Sequence, residues 1–180
     1  MAGRASTAMQ ISVNRAPVLT LWAAVVAHEL GFAWDEAVTL GRVVAGLNAY
    51  AKGKALGLFH PRPKELKEQR DKLAHGESLR VDLLGRAVPV LHTPGGLRAV
   101  SKDKPVSPES VQRYLASKFG DALQDTIDAM VELARSMPSA ELAQRGYALY
   151  EQFRPSVPPG VKGWGAAGTL DLGRIRALAR

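Results

Sequence analysis

The sequence predicts a mainly α-helical domain, a helical bundle with a small antiparallel β-sheet inserted at about residues 79–101, winged-helix-like at best. Two observations carry this prediction. Apolar residues recur at helical spacing over 17–58 and again over 107–153. Between these segments the period changes to two, with Leu79, Val81 and Leu83 alternating with Arg80 and Asp82. A period near 3.6 indicates amphipathic helix, whereas a period of two indicates a half-buried strand.

The first helical segment reads as two helices joined by a tight turn at Gly31-Phe32-Ala33. Proline suits the first turn of a helix, so Pro17 begins the first of them. Each helix has an apolar stripe, so this hairpin is predicted to supply most of the core. The stripes are Leu21, Val25 and Leu30 on the first helix, and Ala37, Leu40, Val44 and Leu47 on the second.

Small residues recur every four positions on the second helix, at Gly41, Ala45 and Ala49. Such spacing places them on one face, where a neighbouring helix can approach closely. This face predicts a homodimer interface. The alternative is that the first helix occupies it within one chain.

A charged helix is predicted over residues 64–74, after the stiff His60-Pro61-Arg62-Pro63 break. Three short strands follow, at 79–83, 88–91 and 97–100, with a first turn at Gly85-Arg86 and a second at residues 93–96. Proline cannot donate within a central strand, so we expect the strand that contains Pro89 to lie at an edge.

The C-terminal half begins with the clearest helix start in the chain, Ser107-Pro108-Glu109. This helix is expected to break near Gly120 and resume to Met137, and another spans about 140–153. The predicted organisation is a flexible arm over 1–15 that ends in a short extended piece, a single domain over 16–154, and a Pro/Gly linker over 155–180. That last segment ends in a helix from Asp171 packed on the domain, with Trp164 as its anchor.

Composition fits one globular domain, because 180 residues with 46% apolar content can bury a core. The formal charge is +7, and residues 61–120 carry 12 Lys and Arg against 7 Asp and Glu. This regional excess favours an anionic partner. The chain contains no cysteine, which excludes disulfides and thiolate chemistry.

Nucleic-acid binding is therefore the predicted function, with DNA favoured over RNA and a regulatory role as one use. The residues expected to contact phosphates lie on the charged helix and the small sheet: Lys64, Lys67, Arg70, Arg86, Arg98 and Lys102. An ordinary solvated face is the competing interpretation, since Glu65, Glu68 and Asp71 intervene. The alternative function is a protein-interaction or small-molecule-binding module that uses Trp164 and the apolar hairpin.

The first hairpin also resembles a helix-turn-helix motif. Ala27, Gly31, Phe32 and Ala37 stand about where that motif has a small residue, a turn glycine and core contacts. A helix that reads DNA must be polar, yet residues 37–51 are nearly all apolar or small. The plain core hairpin is the favoured interpretation.

No enzyme is predicted, and neither a metal nor a cofactor. His28, His60, His75 and His92 lack zinc-binding spacing, and neither a phosphate-cradling loop nor a nucleophile elbow occurs.

Segments 14–22, 47–53 and 163–165 resemble those of a family of uncharacterised bacterial proteins. The resemblance implies a bacterial source and a shared fold, and it transfers no functional residue. A cytoplasmic location without membrane insertion is expected, because no apolar run approaches the length of a bilayer span. The competing interpretation, a secretory signal in which Arg4 and Arg15 precede apolar Ala16–Ala27, is disfavoured because the helical spacing continues through Glu29.

Overall fold

The computed structural model describes residues 10–55, 79–157 and 167–180. These ranges form a mainly α-helical fold with small antiparallel sheets, which confirms the predicted fold class. The helices are α1 (Arg15–Glu29), α2 (Trp34–Ala55), α3 (Pro108–Phe119), α4 (Leu123–Ala134), α5 (Ser139–Phe153) and α6 (Leu172–Leu178). The strands are β1 (Gln10–Asn14), β2 (Leu79–Leu83), β3 (Arg86–Thr93), β4 (Gly96–Ser101), β5 (Lys104–Pro105) and β6 (Ala167–Asp171).

Helix α1 is the centre of the bundle, because every residue from Pro17 to Ala27 is buried. A helix that is apolar all round is typical of a position surrounded by other elements. Its Trp22 is fully buried, donates its indole N–H to the Gly146 carbonyl at 2.8 Å, and meets the Phe153 ring edge-on at 5.3 Å. The first hairpin therefore supplies the axis of the core.

The small-residue face of α2 packs against α1. A Cβ on Gly41 would lie 2.2 Å from the Thr20 carbonyl oxygen, and Ala45 is buried, while Ala49 is half-buried. This is the intrachain alternative, and it corrects the assignment of the buried Gly41 and Ala45 to a dimer interface, whereas the assignment of Ala49 is not tested. Homodimerisation itself stays a prediction that would need another surface.

The larger sheet has the order β2-β3-β4-β5 and is antiparallel throughout. Pro89 therefore lies in a strand with neighbours on both sides, and its predicted edge position is wrong. The physical reason is its register: Pro89 lies opposite Arg80 of β2, whereas the pairing with β4 covers only Val90–Thr93. Its missing N–H falls one residue beyond the end of that ladder.

The β2–β3 turn also differs from the prediction by one residue. Its central residues are Leu84 and Gly85, with φ of 52° and 78°, and not Gly85 and Arg86. A leucine rarely adopts positive φ. Here the side chain is 5% exposed and reaches Gly146 of α5, so tertiary packing offsets the backbone strain.

The two ends of the described chain meet in a second sheet, in which β1 pairs with β6 in antiparallel register. Strand β1 is the short extended piece predicted at the end of the arm, and its pairing with β6, which was not predicted, makes residues 10–14 part of the fold. Helix α6 packs on the domain through the fully buried Leu172 and Ile175, and Asp171 caps it by accepting from Gly173 N–H at 2.9 Å. The predicted break near Gly120 is a single 3-10 turn, Gly120–Ala122.

Several predicted features lie outside the described residues. They are the arm over 1–9, the charged helix over 64–74 with Lys64, Lys67 and Arg70, and the segment over 158–166 with Trp164.

Candidate nucleic-acid interface

One face of the larger sheet packs on α2, and the opposite face of the sheet is exposed to solvent. Alternate residues Val88 and Val90 of β3, and Leu97 and Ala99 of β4, are buried toward the helix. The opposite face carries Leu91, which is 38% exposed and lies across the ladder from Arg98. Next to it, exposed Arg80 lies opposite Pro89. The solvent face therefore combines guanidinium groups with a little apolar surface.

Side chains at the start of α2 hold the edge of β4 in place. Glu36 Oε2 accepts from the Leu97 N–H at 2.9 Å, and Thr39 Oγ1 accepts from the Ala99 N–H at 3.0 Å. The other carboxylate oxygen of Glu36 accepts from the Ala33 N–H at 3.0 Å, as in a helix-capping box. Two backbone donors of β4 are thus satisfied by the helix, which fixes the sheet relative to the bundle.

These bonds change the acidity of Glu36. The Leu97 and Ala33 N–H groups stabilise its ionised form, so the pKa of Glu36 lies below its usual value, and the nearby positive charge of Arg98 adds to the effect. Part of the Arg98 charge is consequently balanced within the chain.

Arg98 folds over the tip of the β3–β4 hairpin. Its Nη1 donates to the Leu97 carbonyl at 2.9 Å, and its Nη2 donates to the Gly95 carbonyl at 3.2 Å. A guanidinium has five N–H donors, so three remain for another acceptor. The half-buried stem of Arg98 is held by the hairpin, which limits the conformational entropy lost on binding.

Arg86 has a structural partner. Its Nη2 donates to Asn48 Oδ1 at 2.9 Å, and Asn48 is 4% exposed. This bond ties the start of β3 to a more C-terminal turn of α2. The predicted phosphate contact of Arg86 stays a prediction, with one of its donors already engaged.

Lys102 lies in the β4–β5 turn, where both it and Asp103 have positive φ, at 52° and 66°. Lys102 and Lys104 are exposed on either side of Asp103. The turn therefore presents two exposed lysines at this end of the sheet.

Charge is unevenly distributed over the described fold. Residues 79–105 carry 5 Lys and Arg against 2 Asp and Glu, whereas residues 121–153 carry 2 against 6. The sheet is therefore basic and the α4–α5 region is acidic. An anion is therefore attracted more strongly to the sheet than to the α4–α5 region.

A further basic cluster lies where α2 meets α3, and the sequence analysis missed it. The guanidinium of Arg42 is 4.6 Å from the ring centre of Tyr114, and the Lys118 ammonium is 5.9 Å from the same ring. The i,i+4 spacing of Tyr114 and Lys118 is visible in the sequence, but nothing there connects Arg42 to them. Arg42 is one of three exposed residues among residues 34–49, together with Asp35 and Gly46.

No metal-binding cluster of three or more His, Asp or Glu side chains occurs within the described ranges. His28 Nδ1 lies 3.0 Å from the Phe32 carbonyl, and its ring packs edge-on against Trp34 at 5.8 Å. Among the helices of the described ranges, none combines the length and apolar character required to cross a membrane.

Comparison with known proteins finds no matching family model, curated protein or solved structure. The resemblance to a bacterial family therefore stays an expectation.

Proposed function

We propose that the protein binds nucleic acid, with duplex DNA as the favoured form, through phosphate contacts made by the exposed face and turns of the larger sheet. The observation that carries the proposal is that Arg80, Arg98, Lys102 and Lys104 lie on the strands and turns of one small sheet, where Arg80 and both lysines are exposed. Cations that neutralise phosphates release condensed counterions, and this release drives binding.

The attachment of the sheet to α2 supports this role. Because Glu36 and Thr39 bind β4, and Asn48 binds Arg86, the sheet presents its charges from a fixed position. A preorganised surface loses less entropy on binding than a mobile one does. Lys64, Lys67 and Arg70 are proposed to make further phosphate contacts.

The contacts are proposed to be with the sugar-phosphate backbone. Residues 79–105 contain neither Asn nor Gln, the side chains that pair with adenine edges. Phosphate contacts fix the position of a protein on a duplex without reading its sequence. Sequence preference is therefore expected to be modest.

The test compares two double variants that lose the same charge. Lys102→Gln with Lys104→Gln removes two exposed cations from the sheet. Arg135→Gln with Arg176→Gln removes two cations outside it, one directly after α4 and paired with Glu29, the other on α6 and paired with Glu132. The affinity for a labelled duplex is measured by fluorescence anisotropy at several salt concentrations. The first pair of substitutions is expected to reduce the slope of log affinity against log salt by an amount that corresponds to about two phosphate contacts, and the second pair to leave the slope unchanged. Equal effects of the two pairs would show only a response to net charge and would contradict the proposal.

The alternative function, a small-molecule-binding or protein-interaction module, is favoured by one separate observation. A groove lined by Trp34 lies among helices α2, α3 and α4.

A further inference from the structure

A groove of about 470 Å³ lies between α3, α4 and the first residue of α2. Its apolar lining includes Trp34, Ala116, Leu123 and Ile127, and these side chains come from three helices. Volumes of roughly 300–1,000 Å³ are typical of small-molecule sites, which join an apolar lining to a few polar groups. The groove has the volume of such a site and a mixed apolar and polar lining, although it is open to solvent.

The polar groups of the groove differ in how far they are engaged. Gln112 donates its side-chain N–H to Asp35 Oδ1 at 3.0 Å, and the Glu109 carboxylate accepts from the Ser107 hydroxyl at 2.9 Å. Arg113 makes no hydrogen bond or ion pair to any residue of the described ranges, although the Glu109 charge lies near it. Within the described ranges, the guanidinium of Arg113 is thus the lining group whose donors are left for a ligand.

We propose that this groove binds a small amphipathic monocarboxylate. The apolar body of the ligand packs against Trp34, Leu123 and Ile127, and its carboxylate accepts from Arg113. Arginine matches a carboxylate in a bidentate geometry, which favours this anion. A dianion such as a phosphate monoester is disfavoured, because Glu109 adds a negative charge to the same lining. The Glu109 charge lies near Arg98 of the sheet as well as near Arg113, but the proposed carboxylate contact uses Arg113 and does not depend on the proposed binding of nucleic acid.

Trp34 gives the site its own spectroscopic probe. The chain has three tryptophans, and Trp34→Phe assigns the Trp34 indole N–H signal in a proton–nitrogen correlation spectrum. Titration with octanoate is expected to shift this signal. The Trp22 indole is a built-in control, since it is fully buried and bonded to Gly146, and its signal should stay in place.

Arg113→Gln tests the proposed anion contact, and Arg145→Gln is the matched control, an exposed arginine paired with Glu141 on α5. Arg113→Gln should weaken octanoate binding by roughly tenfold, as expected for loss of a charge-assisted hydrogen bond. Arg145→Gln should leave that affinity unchanged, and octanol should bind the wild-type protein more weakly than octanoate does.

Three results would overturn the proposal. They are an unshifted Trp34 signal at millimolar octanoate, equal affinities for octanoate and octanol, and unchanged octanoate affinity in Arg113→Gln. Equal affinities would mean a non-selective apolar groove, and the other two results would exclude the site or its anion contact.

Discussion

The Glu36 carboxylate accepts a hydrogen bond at 2.9 Å from the Leu97 backbone N–H, 61 residues further along the chain. The same carboxylate caps α2 through Ala33. One side chain therefore begins the helix and holds the strand that lies on it.

Replacing Glu36 should destabilise the sheet and the helix start together. Glu36→Gln retains one acceptor oxygen and loses the negative charge, so we expect the free energy of unfolding at pH 7 to fall by about 1–2 kcal/mol. Urea denaturation measures this change. Glu141→Gln, which breaks an exposed pair with Arg145, is the control and should cost less than about 0.5 kcal/mol.

The lowered pKa of Glu36 also predicts a pH dependence. A carboxyl whose pKa is depressed by folding contributes stability above its ordinary pKa of 4.5, and that contribution is lost as the pH falls through the folded pKa. The wild-type protein should therefore lose more stability than Glu36→Gln between pH 5 and strongly acidic pH. Parallel stability curves for the two proteins would show that Glu36 does not carry this effect.

Substitution by alanine should change the stability of the protein in opposite directions at two glycines of α2. A Cβ at Gly41 would lie 2.2 Å from the Thr20 carbonyl oxygen, whereas a Cβ at Gly46 meets nothing within 4 Å. Gly41→Ala should destabilise the protein by about 2 kcal/mol or more, because α1 and α2 must move apart. Gly46→Ala should stabilise it by about 0.5–1 kcal/mol through helix propensity.

Thermal unfolding of both variants checks the packing of α1 on α2. A stabilised Gly41→Ala would mean that the two helices are not in such close contact.

Leu84 and Gly146 should be energetically coupled. A Cβ at Gly146 would lie 2.6 Å from Leu84 Cδ2, so Gly146→Ala alone should be destabilising. In a Leu84→Ala background the obstruction is gone, and Gly146→Ala should then stabilise the helix by about 0.5–1 kcal/mol. A double-mutant cycle by urea denaturation measures the coupling. Additive effects would place the β2–β3 turn away from α5.

Local signals in the sequence were sufficient for much of the fold. The change of period located β2, β3 and β4 to within about two residues, although not β5. The Ser107 cap of α3 is present, with its hydroxyl accepting from the Ser110 N–H at 3.3 Å. Such features depend on neighbours close in sequence, which is why the pattern reveals them.

Features that depend on distant residues were missed. The β1–β6 pairing joins opposite ends of the chain, and Leu84 adopts positive φ because α5 covers it. The apolar stripe of α1 indicated one buried face, but small residues allow neighbours on every side. The same limit applies to the candidate sites, since neither Arg42 beside Tyr114 nor Arg113 beside Trp34 follows from spacing.

The salt dependence of DNA binding tests the central claim most directly. If five or six of the proposed side chains each neutralise one phosphate, the affinity for a labelled duplex should fall by about 10³-fold between about 50 mM and 200 mM salt. Replacing Lys64, Lys67 and Arg70 by Glu should weaken binding at low salt and flatten this dependence. Absence of binding at low salt would contradict the account. So would a result in which neither the triple variant nor the Lys102→Gln and Lys104→Gln double variant binds the duplex more weakly than the wild-type protein does.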